Sequence, residues 1–455
     1  MSLSIAARLA CILGFAALAS CASIPDINPG DTPRADGVAI RSGARPLSAR
    51  EASAVLKNLA AQAPDATALE RHLAIEQAVA HTPLYTGNDA RILRDGNQTF
   101  GAIFAAIRGA RRYVLLEYYI LEEVSFDGQS LSDLLISKQK SGVEICIIYD
   151  SIGSLSTGGD FFSRLTDAGI KVAEFNSPNP VKGGNPFRIN DRDHRKILVA
   201  DGETAIIGGV NLSHTYQSAP GRSAPGDEAW HDTDLKLSGP VVTDLETLFR
   251  AQWTQLHAMP VLAAPPAVIP PQGAEVARVV GSEPDSRRPP FYVTVLSAIR
   301  NAENRIWITS AYFGPTRQQT RDLIAAARRG VDVRILVPSH SDSPPALAVQ
   351  RSHYTTLLRQ KVRVFEWNDG ILHTKAAVVD GVWSITGSSN FDQRSVLYND
   401  EVDAVVVGRK TAVQYEQLFT DGQARSAEIS LAEWRRRSFA EKLRERFWRL
   451  WQTLL

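Results

Sequence analysis

Two stretches of the chain share the same spacing of polar residues, although the apolar residues between them differ. DHRKILVADG begins at Asp193, and LHTKAAVVDG begins at Leu372. Each stretch places a histidine, a lysine and an Asp-Gly pair at the same relative positions. The two stretches therefore provide two equivalent sets of candidate catalytic residues: His194, Lys196, Asp201 and His373, Lys375, Asp380.

The match continues beyond these stretches. Asn211 and Asn390 follow their histidines at the same interval, and Ser388 adds a hydroxyl group in the second copy only. Further along, DTDLKLSG and EVDAVVVG end in glycine and carry an acid at matching places, Asp232 and Glu401. Matching residues over such a length indicate an internal duplication.

The rest of the chain alternates short apolar runs with helix-like stretches. YVLLEYYIL, GVEICIIYD and GIKVAEFN come first, and the pattern restarts as RIWITSAYF, GVDVRILVP and KVRVFEWND. Strands that alternate with helices are typical of α/β folds, and 455 residues exceed what one core usually serves. We therefore predict two pseudo-symmetric α/β domains, each a mixed β-sheet flanked by helices, with an active site at their interface.

The composition places the domain boundaries. A proline-rich stretch, MPVLAAPPAVIPPQG, separates the halves, and a loose Pro- and Gly-containing segment precedes the first. We predict five segments: a signal peptide over 1–20, a lipid-anchored linker with N-terminal helices over 21–85, a first domain over 86–260, a second over 274–422, and a basic amphipathic helix over 428–455.

The N-terminus has the features of a secretory signal. One arginine precedes an apolar run that ends in small residues, and LASC resembles a bacterial lipobox. We expect cleavage before Cys21 and lipidation of that residue, whereas the alternative is an ordinary cleaved signal with an incidental cysteine. No Asp follows Cys21, which by resemblance favours the periplasmic side of the outer membrane over the inner membrane.

The repeated residues favour phosphodiester chemistry. On a strand, His194 and Lys196 point to one face, as do their second copies. Asp201 and Asp380 each precede glycine, so we interpret them first as turn residues, although their place in the motif keeps them among the catalytic candidates. A lone histidine is usually a core residue, but two that are each followed by lysine indicate a site.

If the halves pack about a pseudo-twofold axis, two imidazoles, two ammonium groups and two amides converge on one ligand. Such donors suit a phosphodiester. One imidazole could attack phosphorus and the other could transfer protons, in two steps through a phosphohistidine. Asp232 and Glu401 could orient the rings. The sequence contains no zinc or calcium motif, so we expect no metal and no cofactor.

These residues resemble the hallmark of the phospholipase D superfamily, the HKD motif present twice in one chain. The likeness runs from about Gly87 to Phe419 and is nearest to bacterial cardiolipin synthases, in blocks such as RDHRKILVADGETAIIGGVNL and LHTKAAVVDGVWSITGSSNFDQRSVLYNDEVD. The resemblance implies a phosphatidyltransferase in which His194 is the nucleophile and His373 the acid and base. It also implies that Lys196, Lys375, Asn211 and Asn390 bind the phosphate.

The expected partners are phospholipids, commonly phosphatidylglycerol, and a membrane surface. At the C-terminus, Leu443, Phe447, Leu450, Trp451 and Leu454 fall on one helical face among Arg and Lys residues. This pattern is typical of a helix that lies on anionic bilayers, although packing on the domain explains it equally well.

Three functions remain open at this point. The first is the phosphatidyltransferase, and the second is a phospholipase D-type hydrolase that uses water at the same site. The third is a lipid-binding scaffold without activity, which the intact residues of both halves disfavour. No nucleic acid partner is expected, because the net charge is +1 and both motifs lie in one chain with membrane signals.

Overall fold

The computed structural model describes residues 24, 26–28, 37–63, 67–179, 188–217, 229–256, 269–284 and 286–455. The predicted signal peptide over 1–20 and the predicted lipidation site, Cys21, lie outside the described residues. Within the described ranges, no helix is both long enough and apolar enough to cross a bilayer.

The strands divide into two sets along the chain. Those of the first half are β1 (Ile40–Ser42), β2 (Arg45–Pro46), β3 (Leu84–Leu93), β4 (Tyr113–Tyr118), β5 (Ser125–Phe126), β6 (Gln129–Ser130), β7 (Glu144–Asp150), β8 (Lys171–Phe175), β9 (Arg192–Asp193), β10 (Lys196–Ala200), β11 (Thr204–Gly208), β12 (Trp230–His231) and β13 (Asp234–Ser238). Those of the second half are β14 (Glu275–Ser282), β15 (Arg305–Ser310), β16 (Asp332–Pro338), β17 (Arg363–Trp367), β18 (Ile371–Leu372), β19 (Lys375–Val379), β20 (Trp383–Gly387), β21 (Asn399–Val407) and β22 (Ser426–Glu428).

The helices of the described chain flank these strands. Their bounds are α1 (Ala49–Gln62), α2 (Leu69–Ala80), α3 (Gly96–Gly109), α4 (Leu131–Lys140), α5 (Gly159–Asp167), α6 (Val242–Gln255), α7 (Pro290–Asn301), α8 (Arg317–Arg329), α9 (Pro344–Leu358), α10 (Gln393–Leu397), α11 (Arg409–Ala424), α12 (Leu431–Arg435) and α13 (Phe439–Arg449).

Both halves build the same mixed sheet. The first has the strand order β3-β13-β11-β10-β4-β7-β8, in which only β4–β7 and β7–β8 are parallel. The second has the order β14-β21-β20-β19-β15-β16-β17, in which only β15–β16 and β16–β17 are parallel. The identical order confirms the predicted duplication and the α/β class.

The two sheets meet in the centre of the molecule. Their edge strands β3 and β14 pair antiparallel, with Glu275 opposite Asn88 and Ala277 opposite Tyr85. One apolar cluster lies between the sheets and includes side chains of α6 and α11, while a second lies under α3, α4 and α5. A third lies between the second sheet and its outer helices. The result is a stack of helix, sheet, helix, sheet and helix layers.

The motif strands are buried on both faces. β10 (KILVA) and β19 (KAAVV) each lie between two neighbours and pack against helices on either side. Such strands need continuous apolar residues rather than alternating ones, and both motifs provide them after the lysine.

The terminal segments both pack on the second half. α2 contacts α7, where the buried His72 Nδ1 lies 2.9 Å from the Ser297 Oγ. Residues 428–455, expected to form one helix, instead comprise the end of β22 followed by α12, α13 and a final turn. Ser438 caps α13 with a capping box closed by Glu441, which explains why a new helix starts there.

Candidate active site

Two short parallel strand pairings bring the motifs together across the halves. β9, just before His194, pairs parallel with the start of β21, and β12 pairs parallel with β18, just before His373. The His194 amide donates to the Asp400 carbonyl at 2.9 Å, and the His373 amide donates to the His231 carbonyl at 2.7 Å. Each motif strand is therefore fixed at its start by the opposite half.

Because these strand pairings connect the two halves, the acid beside each histidine comes from the opposite half. The Glu401 carboxylate lies 3.0 Å from the His194 Nδ1, and the Asp232 carboxylate lies 2.6 Å from the His373 Nδ1. Each ring is thus oriented by the acid of the other half. A carboxylate at Nδ1 favours the tautomer that donates Nδ1–H, which leaves the Nε2 lone pair for a substrate.

The carboxylate of Glu401 is itself held by two side chains. It accepts hydrogen bonds from the Ser388 Oγ at 2.5 Å and from the Asn399 Nδ2 at 3.0 Å. Burial alone would raise the pKa of Glu401, but His194, Lys196 and Ser388 lower it to about 2. Ser388, predicted to bind substrate, has a fully buried side chain behind Glu401.

Both histidines favour the neutral form. Burial lowers the pKa of His194 to about 4, although the neighbouring Glu401 opposes this change. Burial also lowers the pKa of His373, and the Lys375 ammonium group lowers it further. A neutral imidazole is the form that can attack phosphorus.

The two lysines are almost completely buried, with exposures of 1% for Lys196 and 2% for Lys375. The Lys196 Nζ donates to the His194 carbonyl at 2.7 Å, and the Lys375 Nζ donates to the His373 carbonyl. Burial lowers the pKa of Lys196 to about 7, and that of Lys375 is lowered for the same reason. Because burial disfavours the charged form of these ammonium groups, a bound anionic ligand stabilises that form strongly.

The two asparagines lie on the wall of the same cavity as the histidines. Asn211 Nδ2 donates to the Tyr216 hydroxyl at 2.9 Å, and its Oδ1 accepts from the Ile120 amide at 3.1 Å. The buried Asn390 Oδ1 has no hydrogen-bond partner among the described residues. The Asn390 side-chain amide therefore makes fewer hydrogen bonds within the described structure than that of Asn211 and has more capacity to bind a ligand.

The motif aspartates lie at the far end of their strands from the histidines. Asp201 has a φ of 55° and accepts hydrogen bonds from the Arg111, Arg112 and Tyr113 amides. Asp380 has a φ of 52° and accepts from three backbone amides in the same way. Seven residues of strand separate each aspartate from its histidine by roughly 23 Å, so these carboxylates hold turns.

The cavity between the histidines has a volume of about 590 Å³. Its aromatic wall was not predicted from the sequence: the Tyr119 ring lies 5.2 Å from the His194 ring, while Trp230, Tyr216 and Tyr312 surround the His373 ring at 5.1, 5.4 and 5.8 Å. These rings limit how each imidazole can turn. Only Trp230 had a sequence signal, its position just before Asp232.

Two further acids lie beneath the site. Asp234 accepts from the Val210 amide at 3.1 Å, and Asp403 accepts from the Ser389 Oγ at 2.5 Å. Burial raises the pKa of each to about 8. Both occupy matching places in DTDLKLSG and EVDAVVVG, so the duplication could have identified them.

A buried ion-pair cluster joins the two halves behind His194. The Arg195 side chain, fully buried, lies 3.4 Å from Glu117, 3.4 Å from Gln252 and 3.4 Å from the Glu401 carbonyl. Because it contacts both halves, Arg195 helps to fix Glu401 relative to His194. Over the described residues, no group of three or more His, Cys, Asp or Glu side chains is arranged to hold a metal ion.

Comparisons with known proteins agree with this geometry. The family described as cardiolipin synthase, PLD-like domain, matches residues 103–220 and 295–422. The chain is 35% identical to cardiolipin synthase A of Pseudomonas syringae pv. syringae over 78% of this chain and 72% of that protein. It is 30% identical to a probable cardiolipin synthase, YwiE, of Bacillus subtilis over 87% of this chain and 78% of that protein.

Among solved structures, phosphatidylserine synthase of Haemophilus influenzae superposes with a TM-score of 0.63 over 84% of this chain and 99% of that chain. The identity is 14%, so this likeness concerns the fold. The duplicated sheet, the paired motifs and the similarity over most of the chain place this protein in the cardiolipin synthase family of the phospholipase D superfamily.

Proposed function

We propose that this protein is a phosphatidyltransferase that joins two phospholipids into cardiolipin, with phosphatidylglycerol as substrate. One observation carries the proposal: two histidines, each bound to the acid of the opposite half, line a single cavity. The names of the relatives support the choice of product, and the buried lysines suit an anionic phosphodiester.

In the first step, the His194 Nε2 lone pair attacks phosphorus. A P–N bond forms while the P–O bond to the headgroup glycerol breaks, and His373 gives its Nε2 proton to the departing oxygen. Glycerol leaves, and the phosphatidyl group stays on His194.

In the second step, the headgroup hydroxyl of another phosphatidylglycerol gives its proton to His373. Its oxygen attacks phosphorus, a new P–O bond forms, and the P–N bond breaks. Cardiolipin leaves, and both histidines return to their starting protonation.

The negative charge of the bound substrate favours the protonated form of His373. His373 must start protonated, yet burial and Lys375 lower its pKa. A bound phosphodiester brings a negative charge beside both groups, which raises the pKa of His373 and stabilises the ammonium groups. Lys196, Lys375 and the two asparagines bind the phosphate in this proposal.

The test is incubation of the full-length protein with acyl-labelled phosphatidylglycerol and separation of the lipid products. Cardiolipin is the expected product, and the His194→Ala protein should form none. Phosphatidic acid as the sole product would instead identify a hydrolase that uses water in the second step. Formation of neither product would refute the proposed reaction.

We further infer that a lipid on Cys21 attaches the protein to the outer membrane on its periplasmic side. Small residues precede Cys21, and Ala22 and Ser23 follow it without an Asp. Growth with an alkyne fatty acid should label the wild-type protein but not Cys21→Ser. Labelling of both proteins, or of neither, would contradict a lipid at this position.

A further inference from the structure

The C-terminal helix α13 packs on the fold with one face only. It contacts α9, and the buried Glu445 forms an ion pair with Arg437 on that side. At the end of the helix, the Arg449 Nη1 donates to the Ser352 carbonyl at 3.4 Å. Packing on the domain therefore involves the side of α13 that carries Glu445 and Arg449, and within the described structure it leaves the apolar side chains of the opposite face exposed.

The apolar face of α13 points to solvent. Phe439, Leu443, Phe447 and Leu450 are 78%, 56%, 52% and 77% exposed. Four arginines around it are also exposed: Arg435, Arg436, Arg444 and Arg446. The neighbouring acids Glu433 and Glu441 accept hydrogen bonds at helix starts and are outnumbered by these arginines, so the surface is basic.

The last turn that follows α13 reaches the catalytic cavity. After α13, Leu454 and Leu455 form part of the cavity lining. The Arg394 side chain, which also lines the cavity, donates to the Leu454 carbonyl at 3.1 Å and to the Asn190 carbonyl at 3.3 Å. The helix is thus attached to the site by its last turn.

Exposed apolar side chains also border the cavity elsewhere. Leu155, 73% exposed, lies between Gly153 and Ser156, which line the cavity. Ile189, 48% exposed, precedes Asn190, which Arg394 contacts. Of the large apolar side chains exposed in the described part of the chain, Val413 on α11 alone lies outside these groups.

The N-terminal segment reaches the fold on this same side. Ile24 and Ile27 pack with Tyr292 and Val396, and Val396 lies two residues from Arg394 on α10. The Ile27 amide donates to the Gln318 Oε1 at 2.8 Å, which fixes the segment there.

We propose that Leu155, Ile189 and the apolar face of α13 form a docking rim that seats the cavity mouth on a bilayer containing anionic phospholipid. Clustered apolar side chains among arginines match the acyl boundary and the charged headgroups of such a surface. A rim around the mouth would also let a phosphodiester enter the cavity while its acyl chains remain in the bilayer. The inference rests on the proposed function only in taking phospholipid as the substrate.

Insertion of the apolar face of α13 into a bilayer can be measured without any enzymatic turnover. Full-length Phe447→Cys carries an environment-sensitive fluorophore and is mixed with vesicles of phosphatidylethanolamine and phosphatidylglycerol that contain a quencher lipid. Val413→Cys is the matched control, and dye-treated wild type, which carries Cys11, Cys21 and the buried Cys146, gives the background. We expect a blue shift and quenching at position 447 only. Vesicle-bound protein without quenching at 447, or with equal quenching at 413, would overturn the proposal.

Activity gives an independent test. The double variant Leu443→Glu, Phe447→Glu should lose about tenfold or more of the turnover on vesicles, because two charges replace inserted apolar groups. Its turnover on detergent-mixed micelles should stay within about twofold of wild type, as should that of Val413→Glu on both substrates. Equal loss on both substrates, or none on vesicles, would refute a docking role. An inactive wild type would refute the proposed reaction alone, since the quenching experiment still reports docking.

Discussion

At the scale of single residues, the two halves of the site differ in how they support their histidines. Ser388 and Asn399 bind the Glu401 carboxylate beside His194. Position 209, which corresponds to Ser388, is a glycine, and a Cβ there would meet the Asp232 carboxylate at 2.4 Å. The carboxylate beside His194 is therefore held by side chains that the equivalent position 209 cannot provide for Asp232, which suits a histidine that becomes positively charged as the nucleophile.

Removing the charge of Glu401 should therefore lower the catalytic rate. Glu401→Gln keeps an oxygen near the His194 Nδ1 but no longer stabilises positive charge on the ring, so we expect kcat to fall on the order of 100-fold or more. Ser388→Ala, which removes only one hydrogen bond to that carboxylate, should lower kcat by less than about tenfold. Steady-state kinetics on mixed micelles would measure both, and an active Glu401→Gln would contradict the orienting role.

The pKa shifts predict the pH dependence of kcat/KM. Activity requires neutral His194, whose pKa is about 4, and protonated His373, whose pKa is lowered by burial and by Lys375. The profile should rise as pH passes 4 and fall as pH passes the lowered pKa of His373, because the proton donor for the departing glycerol is then lost. Lys375→Met removes a charge that lowers the pKa of His373 and should move the alkaline limb upward. An alkaline limb that stays in place would show that another group causes it.

At the scale of elements, the sequence predicts two roles for the aspartate of each Asp-Gly pair, as a turn residue and as a member of the catalytic motif. The structure places both aspartates at hairpin turns, where they accept three backbone amides each. Local chemistry of this kind can be predicted from sequence, because Asp-Gly favours left-handed backbone. The pairing of β9 with β21 could not be predicted, since β9 has only two residues and carries no periodic pattern.

Asp201→Ala should therefore affect stability rather than chemistry. We expect the free energy of unfolding to fall by about 1–3 kcal/mol, because three backbone amides, of which only that of Tyr113 is partly buried, lose their acceptor and alanine disfavours positive φ. Asp201→Asn should lose less, since asparagine tolerates this backbone and keeps one oxygen. Urea unfolding measures the change, while kcat per folded molecule should stay within about twofold. A stable but inactive Asp201→Ala would instead support a catalytic role.

At the scale of the whole molecule, the duplication predicted the fold, the pairing of the motifs and the shared site. What it missed depends on side chains that the halves do not share. Tyr119 and Tyr312 belong to unmatched positions of YYI and AYF, so no comparison of the halves singles them out. The position of α1 and α2 on the second half also escaped prediction, because helical periodicity does not identify the surface that a helix covers.

The pseudo-symmetric arrangement makes one claim that a single measurement can test. His373→Asn lacks both the first-step acid and the second-step base, so the phosphatidyl group should transfer slowly to His194 and then be retained during a long incubation with phosphatidylglycerol. Peptide mass spectrometry after a non-acidic quench should find that group on His194, and none in the double variant His194→Asn, His373→Asn. An adduct on another residue, or cardiolipin formed by His194→Ala, would contradict two histidines acting in turn on one phosphorus atom.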